Sequence, residues 1–215
     1  MKIIFGTTNS RKIEDIYDVI NANNFIIEVL TLNDIGWDLG EIEENGSTLN
    51  ENSLIKAKSI YDFCKIKNIN LPILADDAGL FVESLNGEPG IYTARYADDE
   101  FKKNKSLPKH QCVIKLLKKL DKTDDRRAEY RVVITCMLPD GQYFQTMEKT
   151  GGSISREIFE PIIKPYFFTV FIPSEYTNTL NRLTGQERKI TYRYKALEKT
   201  LIEMCNKCHT KKIKK

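Results

Sequence analysis

Two aspartates, Asp76 and Asp77, stand side by side after Ile73-Leu74-Ala75 and before Ala78-Gly79. The run reads as an apolar strand over 72–75 that reaches two carboxylates and is released by a small residue and a glycine. A second short strand follows at 80–84. Adjacent carboxylates repel, so a fold keeps such a pair most readily beside a cation. A hard divalent ion such as Mg2+ takes oxygen ligands and meets that need. An ordinary solvated turn is the competing reading, because Asp, Ala and Gly also build turns. Beside a metal and cations, one aspartate can take a proton from an attacking water.

Two further motifs suit the same chemistry. Gly6-Thr7-Thr8-Asn9-Ser10-Arg11-Lys12 lies where a first strand hands over to a helix. Free backbone N–H groups and the positive end of the helix dipole gather there, which suits a phosphate. Thr8 and Asn9 can cap the helix or donate to phosphate oxygens, and Lys12 adds a cation one turn in. The GxxxxGK[ST] spacing of a P-loop is absent. The stretch from Glu43-Glu44 through Gly46-Ser47-Thr48 to Lys56 joins an acidic loop to a second helix. Its glutamates can complete a metal site with the aspartates, and Lys56 offers another phosphate cation. Taken singly, these are a capped helix and an acidic loop. Together they describe cations for a polyphosphate, carboxylates for a metal, and an aspartate for water.

These residues need elements to hold them. Strands are expected at 2–7 and 25–32, and helices at 9–22 and 49–66. Ile13, Ile16, Tyr17 and Ile20 recur at helical spacing in the first helix. Ala57, Ile60, Phe63 and Cys64 form the apolar stripe of the second and leave Asn52, Lys56 and Ser59 on another face. A helix near 109–120 precedes two long strands, 128–138 and 142–149, joined at Pro139-Asp140-Gly141 as a hairpin. A last helix is expected at 194–206. The pattern predicts an α/β protein: a mixed twisted sheet with flanking helices, in two lobes around a central cleft, as one domain over 1–215.

Composition narrows the function. The net charge of +3 over 215 residues gives no strong case for a nucleic-acid partner. No apolar run approaches a membrane span, and residues 1–6 are too short for a secretory signal. The basic residues of 209–215 read as a flexible tail. Five cysteines without an export signal argue for free thiols and a cytoplasmic place. Cys205-x-x-Cys208-His209 matches haem attachment only on paper, since that chemistry belongs to exported proteins. No serine or cysteine nucleophile has a partner base.

The three motifs occur in a familiar order. Thr-x-Asn-x-x-Lys ends at Lys12, and Glu-x-x-Gly-x-Thr-x-x-Glu-Asn-x-x-x-Lys-Ala runs from Glu43 to Ala57. Ala-Asp-Asp-Ala-Gly-Leu begins at Ala75, and Pro-Gly-Ile-Tyr-Thr-Ala-Arg-Tyr-Ala begins at Pro89. This resembles the inosine triphosphate pyrophosphatase, or Ham1-like, family. The likeness is dense to about residue 97, and Gly152, Ile154, Arg156 and Glu157 extend it. It implies Mg2+-dependent hydrolysis of deaminated purine nucleoside triphosphates such as ITP, dITP and XTP to the monophosphate and pyrophosphate, by a homodimer. It further implies phosphate contacts from Thr7, Thr8, Asn9, Ser10, Arg11, Lys12 and Lys56. Metal ligands would come from Glu43 or Glu44 with Asp76 and Asp77. Asp77 would be the base with Lys12 beside it in the catalytic set, and Ala78 would stand where the family often has serine.

The C-terminal half departs from that pattern. Lys164-Pro165-Tyr166-Phe167-Phe168-Thr169 stands for the family's Gly-Phe-Gly-Tyr-Asp-Pro, and Thr191-Tyr192-Arg193-Tyr194 for its Ser-His-Arg-Gly. Arg193 survives. The resemblance places Phe167, Phe168, Tyr192 and Arg193 at the substrate, where the aromatics can stack on a base. The departures imply altered base selectivity, and leave a weakly active or inactive nucleotide-binding homologue as the alternative.

Overall fold

The structure is a computed structural model that describes all residues except Glu41, Ile163, Lys214 and Lys215, and omits the side chains of Ile190 and residues 209–213. The chain forms two compact units. Unit 1 comprises Met1–Asp77, Val132–Glu148 and Tyr192–Lys215, and unit 2 comprises Ala78–Arg131 and Lys149–Thr191.

Unit 1 begins with β1 (Lys2–Phe5), whose Ile3, Ile4 and Phe5 are fully buried. A strand apolar on both faces is a parallel strand covered on both sides. It pairs in parallel with β2 (Glu28–Leu30), through Ile3 opposite Val29, and with β3 (Ile73–Val82), through Phe5 opposite Leu74. The helix α1 (Ser10–Ala22) buries Ile16, Val19 and Ile20 and meets α5 (Tyr192–Ile213), with Asn23 Nδ2 donating to Glu198 Oε1 at 2.9 Å. The helix α2 (Leu49–Ile66) has the expected bounds. Thr48 Oγ1 caps it by accepting from Glu51 N–H at 3.1 Å, and Glu51 Oε2 reaches back to Ser47 N–H at 2.6 Å. Its stripe of Ala57, Ile60, Phe63 and Cys64 packs with Ile4, Ile73 and Ala75.

Unit 2 carries β4 (Pro89–Gly90), α3 (Asp98–Lys103), α4 (Gln111–Lys119) and β7 (Phe171–Pro173). The expected hairpin is β5 (Arg127–Met137) and β6 (Tyr143–Ile154), and both strands pass from one unit into the other. At its turn Gly141 takes φ 84°, which favours glycine. The sheet order is β2-β1-β3-β5-β6-β7, with β4 paired to β3. The β3–β4 and β6–β7 pairings are antiparallel, so the sheet is mixed and the fold is α/β with flanking helices.

Three expectations change. The aspartates do not end a strand: β3 runs unbroken through Asp76, Asp77, Ala78 and Gly79. Pairing to β1 before the pair and to β4 after it holds this stretch extended, against its local turn chemistry. Gly79 is there for closeness, since a Cβ on it would lie 2.4 Å from the Gly90 carbonyl oxygen. The last helix starts two residues earlier than expected and runs seven further, to Ile213. The short α3 carries no strong apolar period and was not expected. The flexible tail expected over 209–215 falls on side chains outside the described set. No described helix is long and apolar enough to cross a membrane.

Candidate active site

The site is built within unit 1 from four places in the chain: the start of α1, the loop before α2 with its first turns, the middle of β3, and the start of α5. Asp76 is its centre and is 1% exposed. Lys12 Nζ binds Asp76 Oδ1 at 2.8 Å, and Arg193 Nε lies 3.4 Å from Asp76 Oδ2. Lys56 Nζ donates to the Asp76 carbonyl at 2.9 Å and binds Glu44 Oε1 at 3.0 Å. Arg193 is itself buried, and its far end reaches Asp15 Oδ2 at 3.7 Å. A buried ion needs partners on every side, and Asp76 and Arg193 supply this for each other.

The two aspartates differ. Burial opposes the charge of Asp76, but Lys12, then Arg193 and Lys56, overcome it and hold the carboxyl well below the usual range. Burial pushes Asp77 up, and Glu44 and Asp76 push the same way. Lys56 and a hydrogen bond from Asn52 Nδ2, 3.1 Å from Asp77 Oδ2, pull only part of it back. Asp76 is thus a fixed anion, and Asp77 is the better proton acceptor. Neighbouring groups with separated affinities for a proton mark acid–base assignments. Burial pushes Lys12 down, with Lys56 and Arg193 adding to it against Asp76.

The start of α1 is a place for an anion. Asn9 Oδ1 accepts from Arg11 N–H at 3.0 Å, and Thr7 Oγ1 accepts from Asn9 N–H at 3.1 Å. Thr7 is buried, while Thr8, Asn9 and Ser10 are exposed. The first turn holds Arg11 and Lys12 and no acidic residue, the opposite of what the helix dipole favours. The buried Arg11 Nε–H makes no hydrogen bond among the described residues and lies 4.0 Å from Asp15 Oδ1. This cationic start suits phosphate oxygens.

Glu44 joins the cluster through Lys56, whereas Glu43 is exposed. Among the described residues no three Asp, Glu, His or Cys side chains converge as a ready metal cage. Glu44 nevertheless shares Lys56 with the Asp76 carbonyl, and Asp77 is the next residue on β3. Such a donor set fits a hard divalent ion that takes its remaining ligands from water and phosphate, as Mg2+ does.

The structure therefore gathers Lys12, Glu44, Lys56, Asp76, Asp77 and Arg193. Ala78 follows on β3 as the first residue of unit 2. Tyr192 is buried in unit 1, with its hydroxyl 3.5 Å from Arg193 Nη1. Phe167 and Phe168 belong to unit 2 and are buried there. Phe168 meets Tyr130 edge-on at 5.4 Å, and Phe167 faces Tyr96 at 6.2 Å. Sequence reading missed Asn52 and Asp15 as members. The available signal was spacing: Asn52 lies four residues before Lys56 on α2, and Asp15 three after Lys12 on α1.

The chain is similar to known proteins over most of its length. Residues 3–203 match the Ham1 family. A dITP/XTP pyrophosphatase of Clostridium perfringens is 34% identical over 92% of this chain and 94% of its own length. The dITP/XTP pyrophosphatase of Bacillus subtilis is 32% identical over 91% and 93%. A HAM1 protein structure from Coxiella burnetii superposes with a TM-score of 0.78 at 26% identity, covering 96% of this chain and 99% of that one. The Staphylococcus aureus Ham1 structure gives 0.75 at 27% identity, covering 96% and 98%.

Proposed function

The chain belongs to the Ham1 family, and from that premise we propose that it hydrolyses deaminated purine nucleoside triphosphates to the monophosphate and pyrophosphate. Its relatives are named for dITP and XTP. The observation that carries the reading is the cluster around the adjacent aspartates: Lys12 and Arg193 on the Asp76 carboxylate, Lys56 bridging the Asp76 carbonyl and Glu44, and Asn52 on Asp77.

The roles follow from placement. The start of α1, with Arg11 and Lys12, and Lys56 on α2 take the phosphate charge. Asp76 holds Lys12 and Arg193 in place. Asp77 accepts a proton from water as the water oxygen adds to phosphorus and the bond between the α and β phosphates breaks. Glu44 and Asp77 are the groups that would hold Mg2+, and the bound ion supplies positive charge to the triphosphate. Family likeness supports a homodimer, which a sedimentation mass of a single chain would overturn. None of the five cysteines is in a disulfide, which supports a reducing, cytoplasmic place.

The test is release of pyrophosphate from ITP, dITP, XTP, ATP and GTP, each with Mg2+ and again with EDTA. The expected result is Mg2+-dependent pyrophosphate release, fastest from the deaminated purines. Orthophosphate as the first product, or no release from any of the five, would sink the reading. Release that survives EDTA removes the metal from it.

A further inference from the structure

We propose that Asn52 is a positioning residue for this hydrolysis, a single amide that fixes the Asp77 carboxylate and the loop bearing Glu44 together. The inference rests on the function proposed above.

Asn52 is 1% exposed and lies in the opening turns of α2. Both ends of its amide are used. Oδ1 accepts from Gly46 N–H at 2.9 Å, and Nδ2 donates to Asp77 Oδ2 at 3.1 Å. The partners set the orientation, because a backbone N–H needs an acceptor and a carboxylate needs a donor. An aspartate at this position would lack the donor.

Gly46 strengthens the case. A Cβ placed there would lie 2.7 Å from Asn52 Oδ1 and 2.7 Å from Glu51 Cβ. The loop therefore sits directly against the amide, and only glycine permits that approach. One turn further along α2, Lys56 binds Glu44 and the Asp76 carbonyl. Asn52 and Lys56 thus tie the same loop to the same strand at two adjacent points. The Lys56 tie carries charge. The Asn52 tie holds one oxygen of Asp77 and so sets the plane of its carboxylate.

A base misplaced by a fraction of a bond length slows proton transfer without loosening a triphosphate held by cations elsewhere. Its loss falls on kcat rather than KM. The discriminating variant is Asn52→Asp, which keeps an acceptor for Gly46 N–H and removes the donor to Asp77. With dITP, kcat is expected to fall about a hundredfold while KM stays within about threefold of wild type. Calorimetric binding of an α,β-methylene triphosphate, which does not turn over, is expected to stay within about threefold as well. A wild-type kcat in Asn52→Asp, or a loss confined to KM, overturns the inference. Should that variant not fold, Gly46→Ala displaces the same amide from the loop side. A fall in kcat at constant KM is expected there, and an unchanged kcat overturns the inference. Wild-type protein that releases pyrophosphate from none of the triphosphates removes the proposed function and this inference together. Active wild type with an indifferent Asn52 removes the inference alone.

Discussion

The two units bury different things. Unit 1 buries Asp76, Arg193 and Asn52, and joins them with Lys12, Lys56 and Glu44 in one network. Among the described residues, unit 2 buries no charged side chain. Its interior is held by rings such as Tyr130, with Phe168 and Phe171 edge-on to it at 5.4 and 5.1 Å. Burying ions costs stability unless their partners are near-complete, while burying rings gains it. Charge kept inside unit 1 at that cost is what a reaction on a highly charged substrate requires. Unit 2 shows what the same chain builds where packing alone decides.

The sharpest way to break this contrast is Asp77→Asn. Loss of the proton acceptor is expected to lower kcat for dITP by about a thousandfold, read as pyrophosphate release. Wild-type turnover would return Asp77 to a structural role.

Next is Arg193→Met, which leaves Asp76 with Lys12 and Lys56 but without its third cation. About 3–5 kcal/mol of folding stability should be lost in urea titrations near neutral pH. The pH dependence has a definite sign. The folded-state proton affinity of Asp76 is depressed, so its stabilisation is complete above the ordinary carboxylate value of about 3.9 and drains as pH falls below it. Arg193→Met should shrink that acid-sensitive part. An unchanged acid limb would show that Arg193 does not sustain the Asp76 charge.

On the other side of the comparison, Phe168→Ala should cost about 3 kcal/mol through a cavity beside Tyr130. Comparing dITP with dATP in this variant sharpens the contrast. If Phe168 only packs, the ratio of their kcat/KM values stays put. A changed ratio gives unit 2 a share in reading the base.

The smallest effect belongs to Thr48→Ala. It removes the cap of α2 and should cost about 1 kcal/mol by thermal or urea unfolding. A loss beyond about 3 kcal/mol would mean that the cap also anchors the Asn52 loop.

Much of unit 1 was legible because its signals are local. Thr48, then an apolar stripe ending near Ile66, set both ends of α2. Lys12 stood at a helix start where an anion belongs, and Lys56 stood on α2 in the second motif. The unbroken course of β3 was not legible, since Asp76-Asp77-Ala78-Gly79 reads locally as a turn. Pairing with β1, from the start of the chain, and with β4, which folds back just after it, overrides it. Asn52 stood in the motif and on the Lys56 face, but its contacts depend on Gly46 and Asp77 arriving beside it. Between Glu43 and Glu44 the sequence offers no choice. The ion pair with Lys56 brings Glu44 into the cluster.

The interleaving of the units has a consequence for how the protein is made. Unit 1 is assembled from three stretches, with all of unit 2 threaded between them, and its third stretch opens with Tyr192 and Arg193. On the ribosome, β1, α1, α2 and most of β3 emerge early, and Arg193 follows more than a hundred residues after Asp76. Until then Asp76 has Lys12 and Lys56 for company but not its third cation, and α1 lacks the helix it packs against. Such long-range closure is slow. A nascent chain arrested before residue 192 is expected to show a protease-sensitive first segment, and one carrying all of α5 clear of the ribosome on an added C-terminal linker a resistant one. Protection of the earlier chain would mean that the first 77 residues fold without waiting for their partner.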